Sequence, residues 1–164
     1  MRLHDRRGEF ESIYREHHRR VYAIALRFAR DPEGAEEIVQ DAFIRVWRSL
    51  PSFNGNSRLS TWLHSVAVNA ALDRVRKRSR AESRIDRDVD LDLYVREIGR
   101  AMPAADVDLE RAVAALPDGA REVVLLHYFE GFPCAEIADR LGVVEGTVKS
   151  QLHRARQLLK EALE

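Results

Sequence analysis

The sequence has 164 residues, of which 33 % are charged and 45 % are hydrophobic, and its formal net charge is zero. This length suits one ordinary domain or two small ones, and the composition is typical of a soluble, globular and helical protein. The single cysteine, Cys134, excludes an internal disulfide framework and fits a reducing compartment. Because no signal-peptide core opens the chain and no run approaches a membrane span, we expect a cytoplasmic protein without membrane insertion.

Three helices are predicted in the first eighty residues. Apolar positions recur at helical spacing over about 7–29, and Asp31 followed by Pro32 is a helix-start signal for the second helix. A turn-rich loop, FNGNSRLS, then precedes a third helix that begins at about Ser60. Three helices with short connections predict one compact helical domain, which we place at residues 1–80.

The zero net charge hides a segregation of charge along the chain. Five basic residues and no acidic one lie between Arg74 and Arg80, whereas Glu82 to Asp92 carries five acidic residues against two arginines. Such alternation indicates distinct surfaces with distinct partners. Because residues 81–106 are acidic and poor in apolar side chains, we predict a flexible linker there, with a transient helix around 91–98 as the weaker alternative.

The helical pattern resumes at residue 107 and predicts a second domain at 107–164. Helices are predicted at 107–116 and 119–130, and residues 136–159 have the pattern of a helix-turn-helix that is broken at Gly142. One side of its second helix is apolar, with Val148, Leu152, Ala155 and Leu159. The opposite side is short, polar and cationic, which suits base edges and phosphates. The alternative is an ordinary helical hairpin with a solvated basic face.

Three blocks of the sequence, in this order, resemble a bacterial RNA polymerase sigma factor of the extracytoplasmic-function (ECF) group. DPEGAEEIVQDAFIRVWRSLPSF (31–53) is similar to the helix of sigma region 2 that binds the polymerase clamp. STWLHSVAVNAALDRVRKR (60–78) is similar to the part of region 2 that melts and reads the −10 element. LPDGAREVVLLHYFEGFPCAEIADRLGVVEGTVKSQLHRAR (116–156) resembles region 4, which reads the −35 element. The extra domains of housekeeping sigma factors are absent, which points to the minimal group.

The resemblance implies an all-α protein of two small helical domains joined by a flexible acidic linker, the second containing the helix-turn-helix. It implies a monomer whose partners are core RNA polymerase, promoter DNA (the −35 duplex and the −10 single strand) and an anti-sigma factor. No enzyme motif or metal-ligand spacing is found, so we expect no catalysis of its own, no cofactor and no metal. Two alternatives stay open: a conventional regulator that binds duplex DNA without polymerase, and a module that only titrates another protein.

The resemblance also assigns residues to three sites. The polymerase-binding residues would be Glu36, Glu37, Gln40, Asp41, Arg45 and Arg48. The −10 residues would be Asn54, Asn56, Ser57, Trp62, Asn69, Arg74, Arg76, Lys77 and Arg78. The −35 residues would be Glu145, Gly146, Thr147, Lys149, Ser150, His153, Arg154 and Arg156. Without the resemblance, the polymerase-binding set is better explained as a solvated charged face. Trp47 is expected in the core, and Trp62 could equally be a core residue.

Four positions depart from the family pattern. Val144 lies where a proline or a capping residue is usual, so we expect a less firmly started recognition helix. His153 leaves the base preference at its position open. Pro133 and Cys134 replace the usual start of the preceding helix.

In the −10 set, Asn69 interrupts an apolar, alanine-rich stretch, where a polar amide needs a partner.

Overall fold

The computed structural model describes residues 3–81 and 88–164, and within these two stretches every regular element is helical. Eight α-helices lie in this described part: α1 (Leu3–Ala29), α2 (Pro32–Ser49), α3 (Leu59–Ala81), α4 (Leu91–Ala101), α5 (Val107–Ala114), α6 (Asp118–Val124), α7 (Cys134–Leu141) and α8 (Glu145–Leu163). The chain divides into two compact units, the first ending at Pro103 and the second beginning at Ala104. The predicted all-α class is confirmed.

The first unit is built on α1, α2 and α3, which pack against one another. Their shared core contains Leu26, Phe28, Ile38 and Val68. Helix α2 begins as predicted, because the Asp31 carboxylate accepts the Gly34 N–H at 2.6 Å and Pro32 lies in the first turn. Helix α1 starts a turn earlier than predicted, and a 3-10 turn at Leu50–Ser52 continues α2.

Helix α4 corrects the prediction of a flexible linker at 81–106. Asp90 caps this helix by accepting the Leu93 N–H at 3.0 Å, and Tyr94 and Ile98 are fully buried. The helix packs on α1 and belongs to the first unit. The linker was predicted because the average hydrophobicity of this segment is low, although two large apolar side chains lie four residues apart in it. Such a pair stabilises a short helix only when a neighbouring helix covers it. The part of the predicted linker at 82–87 lies outside the described residues.

The second unit contains α5 to α8, with a π-helical turn at Leu125–Phe129 between α6 and α7. Helices α7 and α8 form the predicted helix-turn-helix. The turn starts at Gly142, whose φ of 67° is left-handed, and the Val143 N–H closes it by donating to the Ala138 carbonyl at 3.0 Å. Val148, Leu152 and Ala155 of α8 are buried as predicted, whereas Leu159 is half-buried.

Gly142→Ala is expected to lower the free energy of unfolding of the second unit by about 1 kcal/mol, because an L side chain strains a left-handed backbone. No atom lies within 4 Å of the added Cβ, so packing contributes nothing. Gly146→Ala is the matched control: its Cβ also meets open space, but Gly146 lies inside α8, where alanine favours the helix. Urea unfolding of the full chain should therefore show opposite signs for the two changes. Equal signs would contradict this account.

Candidate functional site

A broad groove with a volume of about 1410 Å³ runs along the first unit between α1 and α2. Its floor is aromatic. The Phe10 ring lies 5.3 Å from that of Trp47 and 6.2 Å from that of Phe43, while Tyr14 lies 4.8 Å from Phe43, all in edge-to-face geometry. Such pairs fix ring orientation as well as burying area. The aromatic rings therefore form one packed cluster along the groove.

Apolar side chains remain open to solvent in this groove, although charged groups surround them. Ile44 is 42 % exposed and Tyr14 is 40 % exposed. Glu33 and Glu36 also line the groove, and the Arg6 guanidinium lies 4.1 Å above the centre of the Trp47 ring. An exposed apolar strip rimmed by polar residues is typical of a protein–protein interface.

The six predicted polymerase-binding residues fall on two sides of α2. Glu36, Glu37, Gln40 and Arg48 line the groove. Asp41 and Arg45 instead face α3, where the Arg45 guanidinium lies 2.9 Å from the Asp41 carboxylate and 2.8 Å from that of Asp73.

Among the groove residues to which the sequence gave no site role are the apolar Phe10, Tyr14 and Ile44. For Tyr14 and Ile44 the available signal was an apolar side chain outside the buried stripe of its helix, whereas Phe10 keeps the apolar spacing of α1 and gave no such signal. Trp47, expected in the core, is half-buried and lies at the boundary, with its ring lining the groove.

The predicted −10 residues begin in the loop before α3. Asn54, Asn56 and Ser57 are exposed, and the Asn54 side chain accepts the Asn56 N–H at 3.1 Å, across Gly55 with a φ of 75°. The Trp62 ring lies 5.0 Å from that of Phe53 and is half-buried. This turn brings short polar groups and one aromatic pair to the start of α3.

Along α3, Trp62, Asn69 and Arg76 recur every seven residues and so share one face of the helix. Asn69 is exposed, so its amide lies on the surface and not in the alanine-rich core. Asp73, Arg76, Lys77 and Arg80 line a shallow open pocket further along. Arg80 is a surface cation that the predicted −10 set omits.

Two other predicted −10 cations serve the fold. Arg74 forms an ion pair with Glu37, and the Arg78 guanidinium lies 3.6 Å from the Asp31 carboxylate. Both pairs join the basic end of α3 to the first turns of α2. The five cations of this end therefore divide into two that hold α3 against α2 and three, Arg76, Lys77 and Arg80, that line the open surface.

All eight predicted −35 residues are exposed on α8, and the buried side of the same helix faces the unit's core. The Lys149 ammonium lies 3.2 Å from the Glu145 carboxylate, one turn earlier. Val144 holds the N-cap position without any side-chain cap and is 72 % exposed, so this helix starts without the usual side-chain support. The arrangement presents one continuous polar and basic face.

In the described part of the chain, no three His, Cys, Asp or Glu side chains are grouped so that they could hold a metal ion. Nor does any of the helices described there combine the length and the apolar character that crossing a membrane requires.

Comparisons with known proteins match each of the two units to a protein family. Residues 13–81 match the family model of sigma-70 region 2, and residues 106–159 match that of sigma-70 region 4. The ECF RNA polymerase sigma factor SigM of Mycobacterium tuberculosis is 35 % identical over 157 residues, which cover 96 % of this chain and 78 % of that protein. SigW of Bacillus subtilis, also an ECF sigma factor, is 29 % identical over 95 % of this chain and 88 % of its own length.

Among solved structures, the sigma factor RpoE of Bartonella quintana, in complex with the anti-sigma factor NepR, superposes with a TM-score of 0.58 at 25 % identity. The match covers 94 % of this chain and 96 % of RpoE. Both sigma regions are thus present in the expected order, which a conventional helix-turn-helix regulator would not need. The chain belongs to the ECF family of RNA polymerase sigma factors.

Proposed function

We propose that this sigma factor binds core RNA polymerase through the groove between α1 and α2 and recognises the promoter through α3 and α8. The observation that carries the polymerase assignment is the exposed apolar strip around Ile44, since a monomer gains nothing from leaving it open. Glu36, Glu37, Gln40 and Arg48 would surround it with polar contacts. Asp41 and Arg45 would support this surface from the α3 side and not touch the polymerase directly.

The −10 element would be read by the Trp62–Asn69–Arg76 face of α3 together with the loop at 54–57. Opening a duplex exposes base faces and crowds phosphates, so a melting surface needs a stacking partner and cations. The Phe53–Trp62 pair supplies an aromatic surface, and Arg76, Lys77 and Arg80 supply positive charge. No chemical step is involved, because binding the unpaired strand is sufficient to shift the equilibrium towards melting.

The −35 element would be read in the major groove by the exposed face of α8. Near its N-terminus, Gly146 and Thr147 have small side chains, which permit close approach to base edges, and the Glu145 carboxylate can accept a hydrogen bond from a base. Lys149, Ser150, His153 and Arg154 follow on the exposed side of the helix. Arg156 lies further along and would contact phosphate, which positions the helix without specifying sequence.

We further propose that an anti-sigma protein holds this chain inactive in the cytoplasm. Support comes from the relative RpoE, which was solved with its anti-sigma factor NepR, and from the groove itself. An exposed apolar groove is a liability for a free protein, so a partner that covers it both protects the chain and blocks polymerase.

Run-off transcription with purified core polymerase, on genomic fragments that include this gene's own upstream region, tests the proposed function. Discrete transcripts are expected. Asn69→Ala should reduce them about tenfold, because the altered α3 surface holds the unpaired −10 strand less well. A template with a pre-melted −10 bubble should restore the variant only in part, since melting is then no longer required but the unpaired strand must still be held.

Two results would contradict the proposal. If the chain produced no transcripts but bound the same fragments alone, it would act as a conventional regulator. If Asn69→Ala left the amount of transcript unchanged, Asn69 would not contact the −10 strand and its −10 assignment would be wrong.

A further inference from the structure

The chain enters the helix-turn-helix through a sharp turn that leaves α7 without a side-chain cap. The π-helical turn at Leu125–Phe129 follows α6, and Gly131 then has a left-handed φ of 79°. Helix α7 begins after Pro133, which occupies the N-cap position but has no polar side chain and makes no cap. The entry of the chain into α7 must therefore be fixed by other contacts.

His127, in the π-helical turn, fixes this entry with a hydrogen bond. Its Nδ1 lies 2.9 Å from the carbonyl oxygen of Phe132, five residues further along the chain. A carbonyl oxygen can only accept, so Nδ1 must carry the proton and donate it. The imidazole is half-buried, and the Tyr128 ring packs edge-to-face against it at 4.8 Å. The bond thus sets the direction of the carbonyl immediately before Pro133, where the proline ring already restricts the backbone.

Phe132 is also held from the side of α7. The Arg140 guanidinium lies 4.3 Å above the centre of the Phe132 ring and 3.0 Å from the Glu136 carboxylate. Ile137 and Ala138 bury the apolar side of α7, but apolar contacts are not directional. The two contacts of Phe132, one through its carbonyl and one through its ring, are directional and join the end of α6 to α7. They therefore determine the orientation of α7.

The orientation of α7 decides where the first turn of α8 lies. The turn at Gly142 joins α7 to Val144, which provides no side-chain cap for α8. The first buried residue of α8 is Val148, so residues 145–147 precede the core contacts of their own helix. Their position is set through the turn from α7. Arg154 instead lies beyond Val148, in the part of α8 that the core holds.

We propose that His127 is a positioning residue for promoter recognition. Its hydrogen bond to Phe132 takes the place of the missing cap of α7 and, through α7 and the turn, places residues 145–147 at the −35 element. His127 itself does not touch DNA. This inference rests on the proposed function of α8 in reading the −35 element.

The tautomer of His127 gives a first test, which needs neither polymerase nor promoter. Nitrogen-15 chemical shifts of the imidazole rings are recorded on the full chain, at a pH at which the rings are neutral. These shifts distinguish a proton on Nδ1 from one on Nε2, and the signal that His127→Asn removes identifies the residue. A proton on Nδ1 is expected. A proton on Nε2 would overturn the inference.

Two amide substitutions test the role in promoter binding. In His127→Asn the amide nitrogen is attached to Cγ, as Nδ1 is, so affinity of the polymerase holoenzyme for promoter should stay within about twofold of the natural chain. In His127→Gln the donor lies one bond further out, and affinity should fall about fivefold, the effect of one hydrogen bond. Helix propensity by itself gives the opposite ranking, because glutamine favours a helix more than asparagine. Equal affinities of the two variants, or a reversed ranking, would overturn the inference.

A double-mutant cycle shows which part of α8 depends on His127. Combined with Glu145→Ala, His127→Gln should weaken promoter binding by less than the product of the two single effects, since Glu145 is already displaced. Combined with Arg154→Ala, the two effects should multiply. Equal coupling to both residues would mean that the whole unit is disturbed, and the inference would be wrong.

Two further measurements separate this inference from the proposed function. Affinity of each His127 variant for core polymerase should equal that of the natural chain, because the α1–α2 groove lies in the first unit. Absence of transcripts with the natural chain would count against the proposed function, whereas transcripts with indistinguishable Asn and Gln variants would count against this inference alone.

Discussion

Ile44→Asp is expected to weaken binding to core RNA polymerase by about a hundredfold or more. The side chain is 42 % exposed and lies in the aromatic groove, where a charge would be desolvated by the partner without a counter-ion. A loss of this size corresponds to about 2.7 kcal/mol, within the range of a central interface residue. Binding of labelled chain to core polymerase, followed by fluorescence anisotropy, measures the effect.

Leu163→Asp is the matched control for this prediction. Leu163 is a similarly exposed apolar residue, at 48 %, but it lies at the end of α8 and outside the groove. We expect it to leave polymerase affinity within about twofold of the natural chain, because surface substitutions away from an interface have small effects. Equal losses from both aspartates would mean that a general effect of charge, and not the groove, decides binding.

Arg154→Ala is expected to lower transcription from the natural promoter by about thirtyfold. A guanidinium that donates two hydrogen bonds to one guanine contributes about 1–3 kcal/mol of discrimination, and Arg154 is exposed on the polar face of α8. Its loss should also relax the sequence requirement at one position of the −35 element. Run-off transcription on a set of single-base −35 variants reads both effects.

Arg156→Ala should give a different result from Arg154→Ala, because we propose that Arg156 contacts a DNA phosphate and not a base. It should weaken all −35 variants about equally and reduce the dependence of binding on salt by about one ion. Gln157→Ala, an exposed neutral neighbour on α8, should change neither quantity. If Arg154→Ala weakened every −35 sequence equally, Arg154 would be a phosphate contact and the base-reading assignment would be wrong.

Some cations of α3 form ion pairs with α2 and others line the open surface, and this difference decides which substitutions test DNA binding. Arg74 and Arg78 pair with Glu37 and Asp31 of α2, so removing either would disturb the fold of the first unit as well as any phosphate contact. The open cations Arg76, Lys77 and Arg80 are the better probes of the −10 surface. The sequence-based −10 set had given Arg74, Arg76, Lys77 and Arg78 the same weight and had omitted Arg80.

The sequence by itself determined the helices other than α4, the helix-turn-helix and the exposed face of α8. These features depend on local periodicity and on short-range signals such as the Asp31 cap and the left-handed Gly142, which act within a few residues. For the same reason all eight predicted −35 residues are exposed, because their positions follow from one helix and its buried stripe.

Only the tertiary structure decided which charged faces are available and what α4 does. Whether Arg45 faces solvent or Asp73, and whether Tyr94 and Ile98 are buried, depends on which helix lies opposite, and that information is distributed over residues far apart in the chain. The aromatic groove likewise exists only where α1 and α2 meet. A helix has a local period, but the partner that covers one of its faces is set by the packing of the whole unit.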